Sequence, residues 1–175
     1  VKLANEHIGY AGALLTLANN PFGVVSYGPA NQPHFFAPRG LPADDALGNT
    51  AHLLRMAISV ARANRFTPKD EYRAFIHDQL NWILGNNPAG VSLVEGLGHT
   101  FLPAYHSHAV FAGIARGALP GAIANGFVPR GPGDGRPFID LRAVDLPDAR
   151  TNACAAENAA LFIELMAHLK RTAFM

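Results

Sequence analysis

Charge and cysteine are scarce in this sequence. Of 175 residues, 14 are basic and 13 acidic, a formal net charge of +1, and charged residues make up only 15%. The two signs are interspersed without a basic block, which argues against nucleic acid as a partner. The one cysteine, Cys154, cannot form an internal disulfide, so it does not report the redox compartment. It lies in an Ala-rich run and is expected to act as a small buried hydrophobe. No apolar run approaches the length of a bilayer span, so no membrane partner is expected. No signal-peptide pattern opens the chain, which starts at Val1 within a helical pattern, and the natural N-terminus is expected upstream. What is plentiful is apolar residues, 49%, enough for a packed core.

Apolar periodicity predicts four long helices. The first covers residues 3–19 and stops at Asn19-Asn20-Pro21. A second is expected from Asp44 to Asn64, with Leu47, Ala51, Leu54, Ile58 and Ala61 as its buried stripe. For the third, Thr67-Pro68 reads as an N-cap followed by Pro at the first helical position. Its inner face is Tyr72, Phe75, Ile76, Leu80, Ile83 and Leu84, and Gly85 ends it. The fourth should run from Thr151 to about Arg171. Between 86 and 150 periodicity is weak. Residues 109–115 suggest a short helix, 118–125 a strand or turn, and 130–136 a loop. The Gly/Pro-rich connections are long, a length that in ordered proteins usually means function. Four helices with functional loops collected at one end suit an all-α fold, an α/α barrel or a piece of one.

The run Asp78-Gln-Leu-Asn-Trp-Ile-Leu-Gly-Asn-Asn-Pro-Ala-Gly-Val-Ser-Leu-Val-Glu-Gly-Leu-Gly98 resembles a signature of glycoside hydrolase family 9, in which a helix ending in Ile-Leu-Gly-x-Asn-Pro leads into the cleft loops. Other motifs follow the family's order. Asn20-Pro21-Phe22-Gly23 resembles its Asn-Pro-aromatic-Gly turn, and Leu47-Gly48-Asn49 its Gly-Ser-Asn helix start. Tyr105-His106-Ser107-His108 stands at its Pro-His-His-Arg segment, and Leu119-Pro120-Gly121-Ala122-Ile123 at its Pro-Gly-Ala-Leu-Val segment. Thr151-Asn152 with Asn158-Ala159-Ala160-Leu161 resembles its final helix. The resemblance implies part of an (α/α)6 barrel, with residues 1–175 as the C-terminal portion of one catalytic domain. It implies hydrolysis of β-linked glucans or related oligosaccharides by the full-length protein, with no cofactor. It also implies a partner segment, the missing N-terminal half of the barrel, without which this portion should be inactive.

Two departures bear on chemistry. The resemblance implies an inverting mechanism, with an acid and a base carboxyl about 6.5–9.5 Å apart. The family's base motif, Asp-Ala-Gly-Asp, is absent, and its acid aligns with Asn152, which has no proton to give. Glu157 is the nearest carboxylate on the same predicted helix and the candidate replacement. The alternative is a carbohydrate-binding pseudoenzyme that keeps the cleft without the acid. A third reading keeps the barrel with other chemistry through Glu157, His106 or Asp140.

For substrate contact the resemblance implies His106, while His108 replaces the family's Arg and so removes a fixed cation. Tyr105, Phe35 and Phe36, in loops, are candidate stacking faces for sugar rings, as is Phe101; Trp82, inside a helix, is expected in the core. His106-x-His108 in an extended segment could hold a metal with His99 or Asp140, but a satisfied loop histidine is the stronger expectation and no metal is assigned. Asp140, Asp145 and Asp148 read first as solvated acids and helix caps.

Overall fold

The computed structural model describes residues 1–17, 22, 47–131 and 134–173. Among the described residues there are five α-helices: α1 (Lys2–Leu17), α2 (Thr50–Phe66), α3 (Asp70–Ile83), α4 (Ala149–Asn152) and α5 (Ala156–Ala173). A two-stranded antiparallel ribbon joins β1 (Val128–Gly131) to β2 (Asp134–Phe138). Single 3-10 turns occupy His108–Ala112 and Ala115–Gly117.

Helix α2 is the central element and packs against α1, α3 and α5. Its Leu53, Leu54, Ala57 and Val60 are wholly buried, as are Tyr72, Trp82 and Ile83 of α3 and Leu165 of α5. Each such large apolar side chain contributes about 1.5–3 kcal/mol by leaving water. Trp82 sits in this core, edge-on to Phe127 at 4.9 Å and to Phe22 at 5.3 Å between ring centroids. The Tyr72 hydroxyl bonds Asn5 Oδ1 at 2.5 Å, which ties α3 to α1.

Several boundaries differ from expectation because tertiary contacts override local pattern. Residues 44–46 lie outside the described set, but 47–49 are not helical and Leu47 is exposed. The N–H groups of Gly48, Asn49 and Thr50 are instead donated to the carbonyls of Arg150, Phe127 and Asn125. A side chain at Gly48 would collide with the Asn125 backbone, its Cβ lying 2.2 Å from the carbonyl oxygen. Helix α3 starts at Asp70 rather than at the Thr67-Pro68 pair, because the Asn64 side chain accepts the Lys69 N–H just before the first turn. Leu84 is partly exposed at its end.

The expected loop at 130–136 is in large part a hairpin, with Val128 opposite Phe138 and Pro129 opposite Pro137. Both strands of a two-stranded ribbon are edges, where proline is tolerated because its missing N–H can face outward. The predicted fourth helix is two helices. Ala153 and Cys154 leave the helix to pair with His106 and Ala124, so Cys154 lies in the break, half-buried rather than buried.

Candidate functional site

Asn87 builds the first wall of the site. Its Nδ2 donates to the Trp82 and Val91 carbonyls, both at 2.8 Å, while its Oδ1 accepts the N–H groups of Ala89 (3.2 Å) and Val91 (3.4 Å). One buried amide therefore closes the Gly-Asn-Asn-Pro turn at the end of α3 and aims the chain into 92–95. That segment then joins a set of isolated backbone bridges. Ser92 pairs with Phe101, Val94 with Ile123, Ala124 with Cys154, and Ala153 with His106. Residues far apart in sequence are thus brought side by side: 92–95, 100–101, 105–106, 122–125 and 152–154.

On this floor lies a cleft of about 550 Å³, within the range of small-molecule sites, about 300–1,000 Å³. Glu95, His99, Phe101, Tyr105 and Arg116 line it. Phe101 is 40% exposed and offers a ring face. Tyr105 is buried, and among the described residues its hydroxyl has no hydrogen-bond partner; Oε2 of Glu95 is likewise shut off from solvent and, among the same residues, unpartnered. Burial pushes the Tyr105 phenol well up, the nearby Glu95 charge adds to this, and the Leu102 N–H offsets it in part without reaching hydrogen-bond geometry. Burial and then Glu95 push the Cys154 thiol up to about 11. Such a thiol is not a nucleophile at neutral pH.

Arg116 is the one non-glycine residue with left-handed backbone among those described (φ 57°). Its carbonyl accepts the Tyr105 N–H at 2.8 Å. The next residue, Gly117, also has positive φ, and a Cβ there would lie 2.4 Å from the Tyr105 carbonyl. The strained corner thus holds Arg116 and Tyr105 on one cleft. Arg116 carries no ion pair among the described residues.

The other expected residues fall elsewhere. His106 is half-buried with Nδ1 at 2.9 Å from the Pro147 carbonyl; a carbonyl only accepts, so Nδ1 bears the proton and Nε2 is the acceptor. Extended neighbours alternate sides, so Tyr105 enters the cleft and His106 does not line it. The segment turns into a 3-10 helix at His108, capped by Ser107 Oγ, and the exposed His108 ring lies 6.1 Å from that of Phe111. The expected His-x-His face is therefore broken.

Asp140 is no free ligand: Arg142 donates to both of its oxygens and the Asp148 N–H to Oδ2, which holds its carboxyl well below the usual range. Asp148 caps α4 by accepting the Arg150 N–H, and the Arg150 side chain lowers its carboxyl too. Among the described residues no three His, Cys, Asp or Glu side chains converge as metal ligands.

Asn152 is wholly buried. Its Nδ2 donates to the carbonyls of Ala104 (2.8 Å) and Asp140 (2.9 Å), and its Oδ1 accepts the Thr151 hydroxyl. Glu157 is exposed in the first turn of α5 and paired with Arg55 of α2, which lines a separate groove between α1, α2 and α5. Neither residue lines the cleft. Phe35 and Phe36 lie outside the described residues. Glu95 and Arg116 are the cleft residues that motif reading passed over.

The family model for glycosyl hydrolase family 9 matches residues 7–166. The chain belongs to this family. Among solved structures, a metagenome-derived glycoside hydrolase family 9 endoglucanase superimposes with a TM-score of 0.65 at 22% identity, over 94% of this chain and 28% of that one. The family 9 protein of Bacteroides ovatus gives 0.62 at 23% identity, over 95% and 27%. AaCel9A, solved with a cellobiose-like isofagomine, gives 0.62 at 20%, over 96% and 30%. No curated protein sequence matches. These likenesses carry the fold, so the helices described above are part of an (α/α)6 barrel. This family 9 chain spans less than a third of the length of those relatives.

Proposed function

We propose that the full-length protein is a family 9 glycoside hydrolase that cleaves β-linked glucans or related oligosaccharides with inversion. Residues 1–175 are then the C-terminal portion of its catalytic domain, supplying one wall of the cleft and inactive without the rest of the barrel. The observation that carries this reading is the cleft itself, found in a family 9 chain, where a ring face and unpartnered polar groups meet. Sugars present apolar faces and a rim of hydroxyls, so they need this mixture. Phe101 offers the stacking face, and Tyr105 and Glu95 offer polar groups to sugar hydroxyls. Arg116 restores a cation to the cleft in a chain whose His108 stands where the family has Arg. At the edge, Nε2 of His106 can accept a further hydroxyl.

Support for hydrolysis over a binding-only pseudoenzyme comes from the family match and from relatives named as endoglucanases. The test is reducing-end release from a panel of β-linked gluco-oligosaccharides by the natural full-length protein. Release by that protein, and none by residues 1–175 alone, is expected. Silence of the natural protein on every β-linked substrate would overturn the reading.

A further inference from the structure

Position 152 carries no carboxyl group, yet the cleft does. Glu95 follows Val94, whose pairing with Ile123 fixes the local backbone. The Glu95 N–H is donated to the Ala122 carbonyl and its own carbonyl accepts the Gly121 N–H, both at 2.9 Å. Glu95 stands in the turn that follows Val94, where the Leu97 N–H is donated to the Val94 carbonyl, and it lines the cleft beside Tyr105. The pairing of Ala124 with Cys154 brings the segment that follows Asn152 next to the same floor. Among the described residues Oε2 of Glu95 has no hydrogen-bond partner.

We propose that Glu95 is the proton donor to the departing glycosidic oxygen, an assignment that rests on the hydrolase reading above. The glycosidic oxygen takes the Glu95 proton as its bond to the anomeric carbon breaks, keeps the bonding pair and leaves as an alcohol. Water adds to the anomeric carbon from the opposite face and releases a proton to bulk solvent. Solvent then reprotonates the Glu95 carboxylate. The carboxyl arises from a different loop than position 152, and the Val94–Ile123 and Ala124–Cys154 bridges link the two segments through residues 122–124.

The test is Glu95→Gln in the full-length protein with two substrates. One is a β-linked gluco-oligosaccharide; the other is a 2,4-dinitrophenyl β-glucoside, whose phenolate leaves without a proton. The expected result is a loss of about 10²–10⁴-fold in kcat on the oligosaccharide and under about tenfold on the aryl glycoside. Less than about threefold loss on both substrates would overturn the assignment and leave the hydrolase reading intact. An equal large loss on both would make Glu95 structural and overturn it as well. Should Glu95→Gln not fold, Glu95→Asp keeps the carboxyl; the basic limb of its kcat/KM profile should shift, and an unmoved limb would count against the donor role. A natural protein silent on both substrates would instead remove the hydrolase reading itself.

Discussion

Asn152 occupies the position that aligns with an acid, but its contacts predict a purely structural role. Its Nδ2 holds the carbonyls of Ala104 and Asp140 from a site with no solvent exposure, and Thr151 satisfies its Oδ1. Truncation to Ala removes three hydrogen bonds worth about 1 kcal/mol each and leaves two buried carbonyls whose desolvation is no longer offset, about 1–3 kcal/mol apiece when complete. Part of that cost overlaps, so Asn152→Ala should lose about 2–4 kcal/mol. Asn152→Asp is nearly isosteric yet turns an oxygen toward the two carbonyl oxygens, so it should lose at least as much. Asn152→Glu adds length and a buried charge and should be worst. Urea unfolding reads this directly: at a slope of about 2 kcal/mol per molar, Asn152→Ala shifts the midpoint by roughly 1–2 M. An Asn152→Asp protein within about 0.5 kcal/mol of the parent, or an Asn152→Glu protein that folds and gains activity, would refute the reasoning.

Other outcomes follow from the same contacts. Burial, with His7 and Arg55 nearby, lowers His52 to about 4, below its unfolded value near 6.5; the unfolded chain then binds more protons, so stability should fall by on the order of 2 kcal/mol from pH 6.5 to 4 in pH-dependent urea titrations. Asp140 and Asp148 are depressed in the fold, so their contribution, complete above about pH 4, should be lost on further acidification. Gly117→Ala should destabilise by about 1–3 kcal/mol and weaken oligosaccharide binding, since both positive φ and the Tyr105 carbonyl oppose a side chain. Arg55→Ala and Glu157→Gln should each change stability by less than about 1 kcal/mol and leave kcat unchanged, the pair being exposed and outside the cleft. Cys154 should alkylate slowly at pH 8, by peptide mass spectrometry, and at lower pH in Glu95→Gln, because the carboxylate contributes to its raised value.

The helices were legible because each core-facing stripe recurs at helical spacing; Tyr72, Phe75, Ile76 and Ile83 fall where periodicity placed them. The Gly-Asn-Asn-Pro turn was legible as a motif, and Asn87 explains why it is needed. Helix ends were less so, since residues 48–50 and 153–154 spend their backbone groups on segments distant in sequence. The same distance hid the cleft. Glu95 follows an apolar residue in a Gly-rich loop and has no local pattern to mark it; only pairing with 122–124, which in turn pair with 153–154, gives it a site. In sequence, an unbroken helix from 151 makes Glu157 the nearest carboxylate to position 152, whereas the break at 153–155 and Arg55 leave it on the outer surface.

The most direct test of the central claim is a proton NMR time course of the first products formed by the natural full-length protein from a β-1,4-linked gluco-oligosaccharide. The account predicts that the newly formed reducing end appears first as the α-anomer and equilibrates later. The β-anomer appearing first, or no new reducing end at all, would contradict it.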